Sequence, residues 1–317
     1  MEAQIDMPRT MKDVLLSSGL DINNLRTNAV LRKEEWVEFD TTVVDVARAR
    51  LNGVRDLQNR GLTLRLGGLG TLLSQYETQS DMTDAEISMA GVTPGREDSV
   101  EFNLLSVPIP IIHKDFRVNI RRLEASRRLG DSVDTVQAAI AARKVADAIE
   151  NMLFNGAGVT LDGNTIYGYT THPDINTGTL GTWDTDTNIE NIYADVLDMV
   201  SDAQSVYYPG PYILYVGRSR WPSMLGYYDD GSGQTPLQRV QTIPGIEAVK
   251  VSDALNPDSA LLVQMSRDVV DLAVAQDITT VQWDDQGGME VHFKVMAALA
   301  PRIKSDYNGH SGIVYYT

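Results

Sequence analysis

The side chains best able to do chemistry in this 317-residue sequence are its many carboxylates and its four histidines. The histidines are His113, His172, His292 and His310, and no two of them have the spacing by which one helix presents a pair of metal ligands. A zinc site would therefore need distant segments to converge. We interpret the four as ordinary surface or core histidines.

One acidic segment resembles the start of a calcium-binding loop. It reads Asp184-Thr-Asp-Thr-Asn188, but Ile189 stands where such a loop has its glycine, and Asp195 where it has its bidentate glutamate. The segment also runs directly into a predicted helix, so N-capping accounts for its composition. The pairs Asp229-Asp230 and Asp284-Asp285 are interpreted as turn residues in the same way.

Other enzyme motifs give no positive support for catalysis. The cluster Gly67-Gly-Leu-Gly70 has neither the dinucleotide-binding pattern nor a phosphate-loop Lys-Ser/Thr pair, so we interpret it as a flexible hinge. The sequence contains no cysteine and no Gly-x-Ser-x-Gly nucleophile elbow. An acid–base pair of carboxylates stays open because acidic residues are abundant. We expect no cofactor and no enzymatic activity.

Composition and charge are those of a globular protein with an acidic surface. Hydrophobic residues make up 43%, charged residues 22%, and the formal net charge is −16. No run approaches the roughly 18 apolar residues of a membrane span, and no secretory signal is expected at the N-terminus. The densest basic stretch, Arg117–Arg128, is either a solvated flank or a patch that meets an acidic surface of a neighbouring subunit.

The first strong element is an amphipathic helix. Apolar residues between Glu34 and Leu51 recur at helical spacing and place Trp36 in the core. Asn52-Gly53 is expected to end this helix, since glycine tolerates a left-handed cap. Residues 1–30 are interpreted as an extended arm, with one short helix at Met11–Leu16, or as a disordered tail.

Residues 54–112 have the pattern of a long β-hairpin. Leu62–Leu66 alternates at period two and is predicted to be the outgoing limb. Thr78–Ser99 is polar and rich in turn residues, as expected of an exposed tip. Pro108 and Pro110 restrict the returning limb to an edge strand because proline cannot donate a ladder hydrogen bond.

Such a hairpin cannot bury both of its faces within one domain. Phe102 and Leu104 share a face of the returning limb, and packing against another subunit would bury them. We therefore expect deletion of Thr78–Ser99 to leave the monomer folded but to impair assembly.

The remainder is predicted to alternate irregularly between helices and strands, which indicates an α+β fold. A helix of about 36 Å is predicted over Asp131–Asn155, ended by Gly156, and residues 157–186 form a loop-rich insertion. A second helix, capped by Thr187 and Glu190, runs from Ile189 to Ala203. Further predicted elements are a short helix at Ser219–Leu225, a polar loop at Gly226–Pro236, and strands at Tyr212–Val216, Glu247–Val251, Ala260–Met265, Val269–Val274, Thr279–Trp283, Met289–Ala298 and Gly312–Tyr316.

This order of elements resembles the encapsulin and tailed-phage major capsid proteins, which share the Hong Kong 97-type fold. The resemblance is strongest over Leu31–Gly156. It rests on the opening helix Leu31–Leu51, the Pro-Ile-Pro-Ile run within Leu104–Ile112, the strand Phe116–Ile120 and the helix Asp131–Gly156, which would be the spine helix. The implied parts are an N-terminal arm (1–30), an opening helix (31–53), an extended loop (54–112), a peripheral domain with the spine helix (113–160 and 276–317) and an axial domain (161–275).

The resemblance also implies where copies of the chain meet. Contacts between subunits are expected on charged residues of the extended loop and of the basic stretch: Arg60, Arg65, Glu77, Asp81, Asp84, Glu86, Arg96, Arg121, Arg122, Arg127 and Arg128. Some family members join subunits through a lysine–asparagine bond, which needs a lysine on the loop. Because no lysine occurs between Lys33 and Lys114, we expect a shell without that covalent link.

The function implied is that of a major capsid protein. Copies would assemble as hexamers and pentamers into an icosahedral phage head around double-stranded DNA, contacted without sequence specificity, in a virion built in the host cytoplasm. Further partners of this class are scaffolding, portal and decoration proteins, and no membrane is involved. Two alternatives stay open: an encapsulin nanocompartment shell that houses enzyme cargo, and a soluble enzyme or calcium-binding protein.

Overall fold

The chain folds into two compact units. The computed structural model describes residues 33–80, 82, 87, 89, 99–121, 125, 135–183, 189–226, 234–284 and 289–317. Within this part, unit 1 contains residues 33–74, Pro108–Ile166 and Asp271–Pro301, and unit 2 contains Gln75–Val107, Tyr167–Val270 and Arg302–Thr317. The N-terminal arm, most of the hairpin tip and the side chain of Trp36 lie outside the described residues. The predicted division into five parts stays a prediction.

The elements are numbered here in chain order. The helices are α1 (Lys33–Arg50), α2 (Gly53–Asn59), α3 (Val136–Asn155), α4 (Ile189–Ser205), α5 (Trp221–Leu225) and α6 (Pro236–Gln241). The strands are β1 (Thr63–Arg65), β2 (Leu73–Gln79), β3 (Phe102–Pro108), β4 (Ile111–Asn119), β5 (Ala157–Leu161), β6 (Asn164–Ile166), β7 (Asn176–Gly178), β8 (Tyr212–Gly217), β9 (Ile246–Ser252), β10 (Ala260–Gln264), β11 (Val270–Asp284), β12 (Glu290–Ile303) and β13 (Ile313–Tyr316).

Unit 1 is built from helices packed on a four-stranded sheet with the order β1-β11-β12-β4. The strand β1 runs parallel to β11, with Thr63 opposite Leu272, and β12 runs antiparallel to β4. The long helix α3 packs against both α1 and β4. Its buried alanines permit this close approach: Ala138, Ala141, Ala142 and Ala146.

The junction between α1 and α2 corrects one prediction. Gly53 does not cap α1 in a left-handed conformation; it is the first residue of α2. Its lack of a side chain serves packing instead, since a Cβ at this position would lie 2.9 Å from Leu153 Cδ2 and 3.0 Å from Phe154 Cε2. Glycine therefore allows α2 to begin directly against α3.

Glu150 of α3 caps the N-terminus of α2. The amide of Gly53 donates to Glu150 Oε1 at 2.6 Å, and the amide of Val54 donates to Oε2 at 3.4 Å. Burial raises the pKa of Glu150 to about 7, and these backbone hydrogen bonds oppose that shift only in part. The carboxyl group thus joins two helices at a position that disfavours its charge.

One further prediction in the first half of the chain was wrong. Leu62–Leu66 is not a hairpin limb, because its strand β1 pairs with β11. The spine helix, predicted from about Asp131, runs from Val136 to Asn155 in the described part of the chain, and these 20 residues span about 30 Å. The predicted loop-rich insertion 157–186 also contains the short strands β5, β6 and β7.

The remaining predictions in the second half were largely confirmed. The strands predicted at Val269–Val274 and Thr279–Trp283 form the single strand β11. The helix at Ile189 and the strand at Tyr212 were predicted correctly. Thr187, the predicted cap of that helix, lies outside the described residues.

Unit 2 has a five-stranded mixed sheet with the order β7-β13-β10-β8-β9. All six residues of β8 are buried, which explains why its sequence Tyr212-Ile-Leu-Tyr-Val-Gly is almost entirely apolar. The helix α4 packs on this sheet through Ile192, Val196, Met199 and Ala203, which recur at helical spacing. In the part of the chain that the structure describes, no helix is long and apolar enough to cross a membrane.

Candidate functional site

The strands β2 and β3 pair in a two-stranded sheet and form a hairpin that carries exposed apolar side chains. Beyond these strands, the Ser80 amide donates to the Glu101 carbonyl at 2.9 Å, and the Glu101 amide donates to Ser80 Oγ at 2.8 Å. At the base, the Ile109 amide donates to the Leu72 carbonyl at 2.9 Å. The limbs are thus held together at both ends, and 20 residues separate Ser80 from Glu101.

Large apolar side chains of this hairpin face solvent. Phe102 is 64% exposed and Leu104 is 55% exposed, and both lie on the same face of β3. Leu72 at the base and Met82, Ile87 and Met89 in the connection are also exposed. A two-stranded ribbon with an apolar row open to water is marginal alone and fits a surface that another chain covers.

The lower half of the hairpin, which we call its root, is fixed to the C-terminal part of unit 2. The Tyr76 hydroxyl donates to the Ile303 carbonyl at 3.2 Å, and Arg302 Nη1 donates to the Gln75 carbonyl at 3.4 Å. The guanidinium of Arg302 lies 5.7 Å from the centre of the Tyr76 ring, and Lys304 Nζ lies 5.9 Å from it. Both cations are within the range of a cation–π interaction.

A second attachment holds the start of the returning limb. The hydroxyl of Tyr307 donates to Glu101 Oε2 at 2.9 Å. This hydrogen bond, together with the negative charge of Glu101, raises the pKa of Tyr307. Both limbs of the hairpin are therefore tied to residues 302–307. Sequence reasoning missed this attachment because Tyr76 and Lys304 are more than 200 positions apart and no local pattern links them.

Four of the predicted contact residues are described by the structure. Arg65 Nη1 lies 2.5 Å from Asp277 Oδ2, so its charge is paired within its own subunit. Arg60 is half-buried at the end of α2, whereas Glu77 on β2 and Arg121 after β4 are exposed. The others lie outside the described residues: Asp81, Asp84, Glu86, Arg96, Arg122, Arg127 and Arg128. Their role between subunits stays a prediction.

Unit 1 contains a cavity of 530 Å³ beneath the opening helix α1. Its walls come from α1, α2, β1 and β11, and its apolar lining includes Val44, Ala47, Leu51, Val54 and Ile278. The ion pair of Arg65 and Asp277 also lines it, as does Thr279. A cavity of this size and mixed lining could take a few side chains of a peptide.

The four histidines, all of which the structure describes, do not converge on a metal site. Among the described residues, no three His, Asp or Glu side chains come together as a metal site requires. The histidines have separate local partners: Asp115 beside His113, Tyr167 beside His172, Trp283 against His292, and Asp306 beside His310. The calcium-like segment at Asp184 and the pair Asp229-Asp230 lie outside the described residues.

Comparison with solved structures identifies the fold. The structure resembles a virus-like particle from Pyrococcus furiosus, with a TM-score of 0.66, 20% identity, and coverage of 90% of this chain and 99% of that one. It also resembles the capsid of Myoviridae phage XM1, with a TM-score of 0.65, 12% identity, and coverage of 84% and 92%. The predicted α+β architecture of the Hong Kong 97 type is thereby confirmed.

Sequence comparison gives the family and two curated relatives. The chain belongs to a family of unknown function, DUF6260, whose model matches residues 24–316. It is 28% identical over 287 residues to the type 1 encapsulin shell protein of Myxococcus xanthus, covering 86% of this chain and 90% of that protein. It is 27% identical to a diheme-cytochrome-encapsulin shell fusion protein of Kuenenia stuttgartiensis, covering 91% of this chain and 73% of that protein. The predicted similarity to encapsulin-like proteins is confirmed.

Proposed function

We propose that this protein is a structural shell subunit whose copies assemble through the β2–β3 hairpin. The observation that carries the proposal is the apolar row of Phe102 and Leu104, which is exposed although the hairpin root is firmly held. Covering such a row on a neighbouring copy would contribute roughly 25 cal/mol for each Å² of apolar surface removed from water. Each subunit of a closed shell repeats this contact, so modest interfaces add up.

We propose further that the shell is a phage head built from hexamers and pentamers around double-stranded DNA. The similarity of fold to a phage capsid supports this. The net charge of −16 is compatible with it, because an acidic wall repels packaged DNA and does not adhere to it. The partners would be other copies of the chain, with scaffolding, portal and decoration proteins in a virion made in the host cytoplasm.

A second candidate is a nanocompartment that encloses protein cargo. Two observations favour it: the curated relatives are named encapsulin shell proteins, and the cavity beneath α1 could receive apolar side chains of a cargo tail. In both candidates the role is structural and not catalytic, in keeping with the relatives, which are named as shell proteins. The two candidates share the assembly step and differ in what the shell contains.

Electron microscopy of particles from the native source, combined with nuclease treatment and absorbance at 260 and 280 nm, tests both statements. Closed particles support a shell subunit, and nuclease-protected DNA in tailed particles supports the phage head. Uniform particles filled with protein support the nanocompartment. If neither the native source nor the purified chain with candidate scaffolding proteins yields particles, a shell function is rejected.

A further inference from the structure

The contacts at the hairpin root indicate that the hairpin is held in one direction by its own subunit. Tyr76 and Gln75 on the outgoing limb and Glu101 before the returning limb all bind residues 302–307. Two attachment points on one limb and one on the other restrict rotation about the hairpin axis as well as bending.

Arg302 is the central residue of this attachment. It is only 5% exposed although it carries a permanent charge. A buried guanidinium is costly unless polar groups surround it, so its placement over the Tyr76 ring and against the Gln75 carbonyl is a specific arrangement. Lys304 is fixed in turn, because its Nζ donates to the Arg267 carbonyl at 2.6 Å while it lies near the same ring.

We propose that Arg302, Lys304 and Tyr307 are positioning residues that set the direction of the hairpin before a neighbouring copy binds. The effect of this positioning on assembly rests on the proposed shell function, but the contacts themselves lie within a single subunit. We name these residues, with Tyr76 and Glu101, the root clamp.

The length of the hairpin explains why its direction matters for assembly. Tyr76 lies midway along β2, and Ser80, opposite Glu101, is about 13 Å further along, so without the Tyr307 contact a rotation of about 10° at Tyr76 would move that end by about 2 Å. A displacement of that size would carry Phe102 and Leu104 away from a fitted partner surface. A hairpin that is already oriented loses less conformational entropy when the neighbour binds, so assembly is both faster and more uniform.

Hydrogen exchange tests the clamp without relying on assembly. Amides of β2 and β3 are followed in whole subunits, dissociated from particles or kept too dilute to assemble. We expect Tyr76→Ala and Arg302→Met to exchange about tenfold faster there than the natural protein, and Tyr76→Phe to lie between them and it, because the ring is retained but the hydrogen bond to Ile303 is lost. Arg239→Met is the matched control, since it removes a cation over the Tyr193 ring at 4.9 Å in the same unit.

Particle diameters, measured by microscopy, test whether the direction of the hairpin affects assembly. Tyr307→Phe removes a single hydroxyl, and we expect it to broaden the diameters, whereas Tyr207→Phe, at a 93% exposed tyrosine, should not. If the Tyr76→Ala and Tyr307→Phe subunits fold and their β2 and β3 amides exchange at the rate of the natural protein, the clamp is overturned. Faster exchange in a protein that never forms particles would support the clamp and reject the shell. Unchanged diameters despite faster exchange would overturn the link between hairpin direction and assembly.

Discussion

The amide nitrogen of Gly53 lies 2.6 Å from Glu150 Oε1, although 97 positions separate the two residues in the chain. This contact fixes the start of α2 on the C-terminal half of α3, and it combines two unusual requirements. One is a residue with no side chain where α2 meets α3, and the other is a carboxyl group buried in an apolar setting. Each requirement can be tested separately.

Gly53→Ala tests the close approach of the helices. The added methyl group would meet Leu153 and Phe154, whose side chains are fully buried and have little room to move. We expect a loss of about 1–3 kcal/mol in the free energy of unfolding, measured by denaturant titration of dissociated subunits. Gly70→Ala is the control, because no atom lies within 4 Å of its added Cβ. Equal stability of the two variants would show that α2 can shift away from α3.

Glu150→Gln tests the buried carboxyl group. Because burial raises its pKa from 4.5 to about 7, the folded state binds a proton more tightly than the unfolded state. The stability contributed by this group is complete below pH 4.5 and is lost as the pH rises through 7. Relative to Glu150→Gln, the natural protein should lose at most about 3 kcal/mol of unfolding free energy between pH 4.5 and pH 8.

The informative quantity is the difference in unfolding free energy between the natural protein and Glu150→Gln, since both share every other titrating group. Denaturation of dissociated subunits at several pH values measures it. A difference that does not change with pH would mean that Glu150 keeps an ordinary pKa, and that its hydrogen bonds to α2 balance the effect of its burial.

Local patterns were sufficient to predict the elements that bury one continuous face. The helices α3 and α4 show apolar residues at helical spacing, and β8 and β10 are short apolar runs bounded by polar segments. The exposed apolar row of the hairpin was also visible, because the polar Asn103 separates Phe102 from Leu104. The order of these elements was enough to indicate the fold.

Elements that depend on distant partners were not predictable in this way. The helix α2 was missed because its cap, Glu150, comes from another part of the chain. The strand β1 has three residues and gains its pairing from β11, about 200 positions later. Nothing near Arg302 in the sequence indicates that it contacts Tyr76. The root clamp and the cavity follow from such long-range contacts.

Thr279→Val tests the polarity of the cavity wall. Thr279 is 5% exposed, and its hydroxyl has no hydrogen-bond partner among the described residues. Valine has nearly the same shape and no polar group to bury, so we expect the unfolding free energy of the subunit to rise by about 1 kcal/mol. Thr160→Val, at an exposed position of β5, should change it little. A comparable loss of stability in Thr279→Val would mean that the hydroxyl has a bound partner, such as an ordered water.

The double variant Phe102→Asp/Leu104→Asp tests the assembly surface itself. Both side chains already face solvent in the subunit, so aspartates there should change its melting temperature by only a few degrees. In a shell they would bury two unpaired charges at each hairpin contact, a cost of several kcal/mol that no modest interface can offset. We therefore expect folded subunits that sediment as small species. Val159→Asp, which charges an exposed apolar position on β5, is the matched control and should still form particles. Normal shells from the double variant would show that these side chains are not covered in the assembly, and that the hairpin acts through other residues or not at all.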